Sequence, residues 1–341
     1  MRKNMNPYLN KGMITDPEEF YGRKEEIETI YERIKTAQST FIIGERGIGK
    51  SSLLYYLYRK KDKYFDDPDR YICLFIGLQK EDINSPHDFF KVLLRELREK
   101  AKDKISINEG MSYENVKNAV LKLDEAGYKL ILFIDEFDLV ANNDEFGGTF
   151  YANLRALAPY NVAYVINSIK KIKEHGNIIT SPFFNIFIEI MLLPFNEEEL
   201  IDRIKNLSVR QGVPSKDETE FILDVAGLHP LFLQIACSTL FKHKLKKKEL
   251  SKSDYNEIRE EIGDESKCQF EYIWNHLSKE ERDVLSKLAR SKPINETSKH
   301  KLHDLEMKGY VIKKERKSFF KKTVKFDIFS SVFKKFVIEK G

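Results

Sequence analysis

The sequence predicts an α/β fold: a parallel sheet covered by helices on both faces, continued by an all-helical segment and a small helix-and-hairpin unit. Three observations carry this prediction. Up to Pro194, apolar strand candidates alternate with helical stretches, the pattern of a parallel sheet with crossover helices. A Gly-rich turn ending in Lys-Ser stands between the first strand candidate and a helix. Beyond Pro194 strand signals stop, and they return only near the C-terminus as a candidate hairpin.

In chain order, residues 40–43 (Thr-Phe-Ile-Ile) form a short apolar, β-branched run and predict a buried strand. It leads into Gly44-Glu45-Arg46-Gly47-Ile48-Gly49-Lys50-Ser51, the full G-x-x-x-x-G-K-[ST] pattern of a phosphate-binding loop, or P-loop. The glycines let the backbone curl around an anion with successive N–H groups pointing inward. Lys50 then reaches the β- and γ-phosphates of a nucleotide, and the Ser51 hydroxyl ligates Mg²⁺. Ser52 continues into a helix whose N-terminus also favours phosphate.

Further strand candidates are 71–77, 130–135, 162–167 and 187–193, with helical spacing at 86–102 and 114–127. The third strand ends in Asp135 and Glu136, at the carboxyl edge where open α/β sheets bind ligands. Asp135 is placed to hold the magnesium through water and Glu136 to polarise the attacking water. Hydrolysis then consists mainly of positioning and of stabilising charge on the γ-phosphoryl. Asp138 completes an Asp-Glu-Phe-Asp run and reads equally as a solvated acid at a helix start.

After Pro194, helices are predicted at 196–210, 216–226 and 230–246, separated by Gly212/Pro214 and Gly227/Pro230. A polar stretch to about Lys267 reads as a helical linker. From Cys268 a third unit is expected: 270–277, then a cap at Ser278–Glu281 opening 282–289, then 299–308 ended by Gly309. Strand candidates 310–312 and 323–329 follow, joined by a basic loop 313–322, with a last helix at 331–339. Helices followed by a hairpin with a basic loop describe a winged helix. The expected boundaries are 1–195 for the core, 196–248 for a helical lid, 249–267 for the linker and 268–341 for the winged helix.

The 341 residues suffice for two or three domains, and a hydrophobic fraction of 41% is ordinary for a soluble chain. No apolar run approaches the roughly 20 residues that span a bilayer, and no signal peptide opens the chain, so a cytoplasmic protein without membrane contact is expected. The three cysteines have no metal spacing and are expected to be reduced and buried. Net charge is +4, yet residues 299–341 alone carry thirteen Lys/Arg against five Asp/Glu. That basic tail, with Lys313, Lys314, Arg316, Lys317, Lys321 and Lys322, is either a DNA footprint or lysine-rich solvated surface.

Together these motifs resemble the signal-transducing ATPases with numerous domains (STAND), within the AAA+ class, and specifically bacterial and archaeal AAA-like ATPases ending in a winged helix. Phe20-Tyr21-Gly22-Arg23-Lys24-Glu25-Glu26 is similar to the element that packs against adenine in that class. The resemblance places sensor 1 at Asn167 or Ser168, to sense the γ-phosphate or orient the water. Gly227-Leu228-His229-Pro230 resembles the G-x-P motif of STAND lids, whose Pro packs by the base and whose His reaches the β-phosphate. The following helix, 231–246, has no arginine where AAA+ machines carry sensor 2, and Arg155 reads as a surface or packing residue. The resemblance thus implies a slow ATP/ADP and Mg²⁺ switch that self-associates, serving defence or regulation, with a separate sensor or effector protein. Origin-recognition-type DNA-binding ATPases share the domain order and give the alternative reading.

Overall fold

The computed structural model describes residues 6, 8, 12–175, 181–200, 215–247, 249–318 and 321–341, with the side chains of 315–318 and 321–324 left aside. The chain divides into two compact units, Met13–Leu192 and Met1–Gly12 with Leu193–Gly341. Among the described residues no helix is long and apolar enough to cross a membrane.

The first unit holds strands β1 (Ser39–Ile43), β2 (Tyr71–Gly77), β3 (Lys129–Asp135), β4 (Val162–Ser168) and β5 (Phe187–Met191). They form one sheet in the order β2-β3-β4-β1-β5, and every pair is parallel. Its helices are α1 (Lys24–Lys35), α2 (Lys50–Arg59), α3 (Lys61–Tyr64), α4 (Pro86–Ala101), α5 (Tyr113–Glu125), α6 (Asp138–Ala141) and α7 (Gly148–Leu157). Strand residues alternate between two cores, as the two-residue period requires. Phe41, Leu130, Leu132 and Ile134 face one core with α4, α5 and α7, while Ile42, Ile131 and Phe133 face the other with α1 and α2. With both faces covered, β1, β3 and β4 are apolar nearly throughout, which is why they stand out in the sequence. The predicted strand 187–193 stops at Met191.

The second unit contains α8 (Lys216–Ala226), α9 (Pro230–Lys246), α10 (Lys252–His276), α11 (Lys279–Ala289), α12 (Lys299–Met307), the hairpin β6 (Val311–Ser318) with β7 (Lys321–Ile328), and α13 (Ser331–Lys340). Capping boxes start α8, α10 and α11, with Ser215, Ser251 and Ser278 bonded reciprocally to Glu218, Asp254 and Glu281. Of the predicted helix 196–210, residues 201–210 lie outside the described residues, as do Gly212 and Pro214.

Three expectations change. From Lys252 onward the expected linker 249–267 is part of α10, which runs unbroken past Cys268. Ile258, Ile262, Ser266, Phe270 and Ile273 recur at helical spacing and are all buried. Phe270 then packs at 4.9 Å from Phe232 of α9 and 5.0 Å from Phe333 of α13, so one aromatic core spans the proposed boundary. Cys268 is exposed, because two residues along a helix from buried Ser266 or Phe270 lies the opposite face. The basic stretch 313–322 is strand rather than loop, with Lys317 opposite Lys322 and only residues 319–320 between the strands. Main-chain pairing carries this ribbon and requires no apolar side chains there.

Candidate active site

The phosphate loop follows β1 and passes directly into α2. Gly47 and Gly49 have φ of 79° and 101°, the left-handed region that favours glycine. Gly44 is needed for close approach: a Cβ there would lie 2.9 Å from Ile48 Cγ2 and 3.0 Å from the Leu192 carbonyl oxygen. Lys50 Nζ donates to the carbonyls of Gly44 (2.8 Å) and Glu45 (3.1 Å), curling back over the loop. Burial pushes its pKa down to about 8, against the opposing pull of Asp138, Glu45, Asp135 and Glu136.

The parallel register of β3 and β4, Ile134 opposite Ile166, brings the two strand ends side by side. Asp135 Oδ1 accepts from Ser51 Oγ at 2.8 Å and from Asn167 Nδ2 at 2.5 Å. Asn167 Oδ1 in turn accepts from the Glu136 N–H at 2.7 Å, and its carbonyl accepts from the Phe137 N–H at 3.0 Å. One buried asparagine therefore clamps both acids. Glu136 adopts φ of 61°, a left-handed backbone uncommon for a residue with a side chain. Burial raises the Glu136 pKa and Asp135 adds to it, while Lys50 and Arg46 oppose. The Ser51 hydroxyl and Asp135 carboxylate offer adjacent hard oxygen donors, which fits Mg²⁺ held by few protein ligands together with substrate phosphates and water.

The Phe20–Glu26 element is tied to this loop. Gly22 and Arg23 both have positive φ, making the turn that opens α1. The buried Arg23 guanidinium donates to the Ile48 carbonyl at 3.2 Å and pairs with Glu26. Phe20 stacks on Tyr56 of α2 at 4.7 Å, Tyr21 is half-buried, and the Ile14 N–H donates to Ser52 Oγ at 3.0 Å.

His229 and Pro230 belong to the other unit, where they cap and open α9. The buried His229 ring lies 4.9 Å from Phe232 and 6.2 Å from Phe329. Gly227 before them has φ of 59°. Arg155 is exposed and donates to the Pro182 carbonyl.

Sequence reading left Asp138 of the first unit's cluster undecided and missed His175. Asp138 is not merely a solvated acid: it accepts from Ser168 Oγ at 2.7 Å and from the Ile169 N–H at 2.8 Å. His175, buried, lies 3.0 Å from Ser168 Oγ through Nε2. The Asp-Glu-Phe-Asp spacing was a signal for the first; nothing local marks the second.

Comparison with known proteins adds a family and a fold. The model of the family described as novel STAND NTPase 2 matches residues 27–294. No curated protein matches the sequence. Among solved structures, the Walker-type ATPase PABY2304 of Pyrococcus abyssi superposes with a TM-score of 0.64 at 16% identity, covering 97% of this chain and 99% of that one. The Aeropyrum pernix ORC2 protein, solved in ADPNP–ADP complexes, gives 0.63 at 14% identity over 99% of this chain and 96% of its own. The Aeropyrum pernix ORC1 protein in complex with DNA gives 0.52 at 11% identity, covering 98% and 95%. At these identities the likeness establishes the fold.

Proposed function

Because the chain belongs to the novel STAND NTPase 2 family, we propose that it binds ATP and hydrolyses it slowly, as a switch whose nucleotide state governs opening of the C-terminal unit and self-association. The observation that carries this reading is the continuous chain Ser51–Asp135–Asn167–Glu136, which joins the phosphate loop to a half-buried acid of raised pKa.

Each residue has a role in that reading. The backbone N–H groups of Gly44–Ser52 cradle the phosphates, and Lys50 places its charge on the β- and γ-phosphates. Tyr21, Gly22 and Arg23 shape the base side of the loop, and His229 with Pro230 contributes from the lid. Ser51 and Asp135 hold Mg²⁺, which supplies charge neutralisation at the phosphates when bound. Glu136 polarises the attacking water, and Asn167 fixes that acid's backbone while sensing the γ-phosphate. A switch between 1:99 and 99:1 needs about 5.5 kcal/mol of differential binding, and phosphate contacts from Lys50, Mg²⁺ and His229 are its proposed source. The arginine-free helix 231–246 favours a held state over rapid turnover in a ring.

The test is hydrolysis measured across protein concentration, with Glu136→Gln as control. Turnover per molecule should rise with concentration, and the variant should bind ATP without hydrolysing it. Concentration-independent turnover would remove self-association from the reading.

A second reading, duplex DNA binding through the C-terminal unit as a winged helix, is favoured by the basic hairpin and by the fold shared with the DNA-bound ORC1 protein. Charge reversal at Lys313, Lys314, Lys321 and Lys322 should abolish salt-dependent duplex binding. Absence of binding to duplex at low salt would end it.

A further inference from the structure

The cluster behind the acids has its own hydrogen-bond direction. Ser168 Oγ has four neighbours: Asp138 Oδ1 at 2.7 Å, the Lys170 carbonyl at 2.9 Å, the Lys170 N–H at 3.0 Å and His175 Nε2 at 3.0 Å. A hydroxyl has one proton and two lone pairs. The carboxylate is the stronger and closer acceptor, so the proton goes to Asp138. The lone pairs then accept from the Lys170 N–H and from His175, which must carry its proton on Nε2. His175 Nδ1, buried, has no hydrogen-bond partner among the described residues, as suits the neutral tautomer. Burial also lowers the His175 pKa, which keeps the ring neutral.

Asp138, at the far end, accepts the Ile169 N–H as well and opens the short α6 that follows Glu136. The turn 135–138 is thereby fastened to 167–169 at each step: Asp135 and Glu136 by the Asn167 side chain, Phe137 by its carbonyl, Asp138 by Ser168 and Ile169. The His175 ring is itself anchored edge-on to Phe41 of β1 at 6.2 Å. Such outer fastening has work to do, because Glu136 holds a left-handed backbone that a free turn would abandon.

We propose that His175 and Ser168 are positioning residues for hydrolysis, acting through Asp138 to hold the 136–138 turn so that Glu136 stays in place against Asn167. This rests on the ATP-hydrolysis reading above. None of the relay residues touches the nucleotide in that reading, so removing the relay should lower kcat and leave substrate binding intact.

The experiment compares Ser168→Ala, His175→Phe and His175→Gln with wild type for ATP affinity, KM, kcat and thermal midpoint. Loss of one link in a buried network is expected to lower kcat about 10-fold. Ser168→Ala and His175→Phe should each show this with ATP affinity within about 2-fold. His175→Gln, whose amide N–H falls near the imidazole Nε2–H, should recover kcat to within about 3-fold. The double variant should be no worse than Ser168→Ala alone, since both act through one hydroxyl. The proposal is overturned if both single variants keep wild-type kcat. It is also overturned if His175→Gln fails as badly as His175→Phe, with KM and stability impaired alongside, because burial alone would explain that. Failure of the underlying reading shows separately, as turnover surviving in Glu136→Gln.

Discussion

The left-handed backbone at Glu136 makes a prediction about stability as well as catalysis. At φ of 61° a side chain crowds its own carbonyl, at a cost of roughly 1–2 kcal/mol. Glycine escapes that cost but gains freedom in the unfolded chain, which returns about 0.5–1 kcal/mol. Glu136→Gly should therefore be more stable than Glu136→Gln by on the order of 0.5–1 kcal/mol. For a unit the size of Met13–Leu192, that corresponds to roughly 1–4 °C in thermal midpoint. Glutamine is the proper reference because it removes the charge and keeps the strain. Charge has its own sign here. The Glu136 pKa is raised in the fold, so the ionised form is penalised and the unfolded chain binds fewer protons across that window. Stability is then lost as pH climbs from the ordinary glutamate value through the raised one. Glu136→Gln should match or exceed wild type at pH 7, with the excess vanishing in acid. Thermal unfolding without nucleotide, in chelator, measures all three proteins, and neither variant should hydrolyse ATP. If glycine is no more stable than glutamine, the turn stores no strain and the fastening by Asn167 and Asp138 needs another purpose.

Lys50, held at about pKa 8 in the free loop, should regain its ordinary value against phosphates. ATP binding should then take up close to one proton at pH 9 and almost none at pH 6, read by calorimetry in buffers of different ionisation enthalpy. The sign for the free protein follows: the unfolded chain binds the extra proton between about pH 8 and the ordinary lysine range, so stability rises with pH across that window. Asn167→Ala removes the bonds to Asp135 and to the Glu136 N–H. It should lower kcat by about 100-fold, equivalent to two such bonds, with ATP affinity within about 3-fold; a parallel loss of affinity would mark it as structural only. Gly227→Ala places a Cβ 2.5 Å from the Phe329 carbonyl oxygen at a φ of 59°. Because the obstacle is backbone, the second unit should lose about 2–3 kcal/mol in denaturant titration.

What was legible in the sequence follows the reach of each interaction. The phosphate loop is contiguous, so its eight residues announce themselves, and the strands around it are apolar on both faces. The linker misreading has a local cause: along α10 the buried stripe passes through Ser266 between Ile262 and Phe270, and charged residues outnumber it. His175 left no trace because it reaches Ser168 through the irregular segment that follows β4, where no motif or periodicity marks the contact.

The alignment of β3 with β4 gives Asn167 and Ser168 different partners. Ile134 stands opposite Ile166, so Asp135 comes level with Asn167, and the chain beyond Glu136 runs level with Ser168 and Ile169. Adjacent residues on a strand point to opposite faces. Asn167 therefore turns to Asp135 and Ser51, while Ser168 turns to Asp138 and His175. The two residues are not rivals for one role. Each serves a different acid of the Asp-Glu-Phe-Asp run, and the spacing of that run matches the pitch at which β4 presents them. A helix-start acid with no structural duty would have no reason to sit where the second of two consecutive strand residues can reach it.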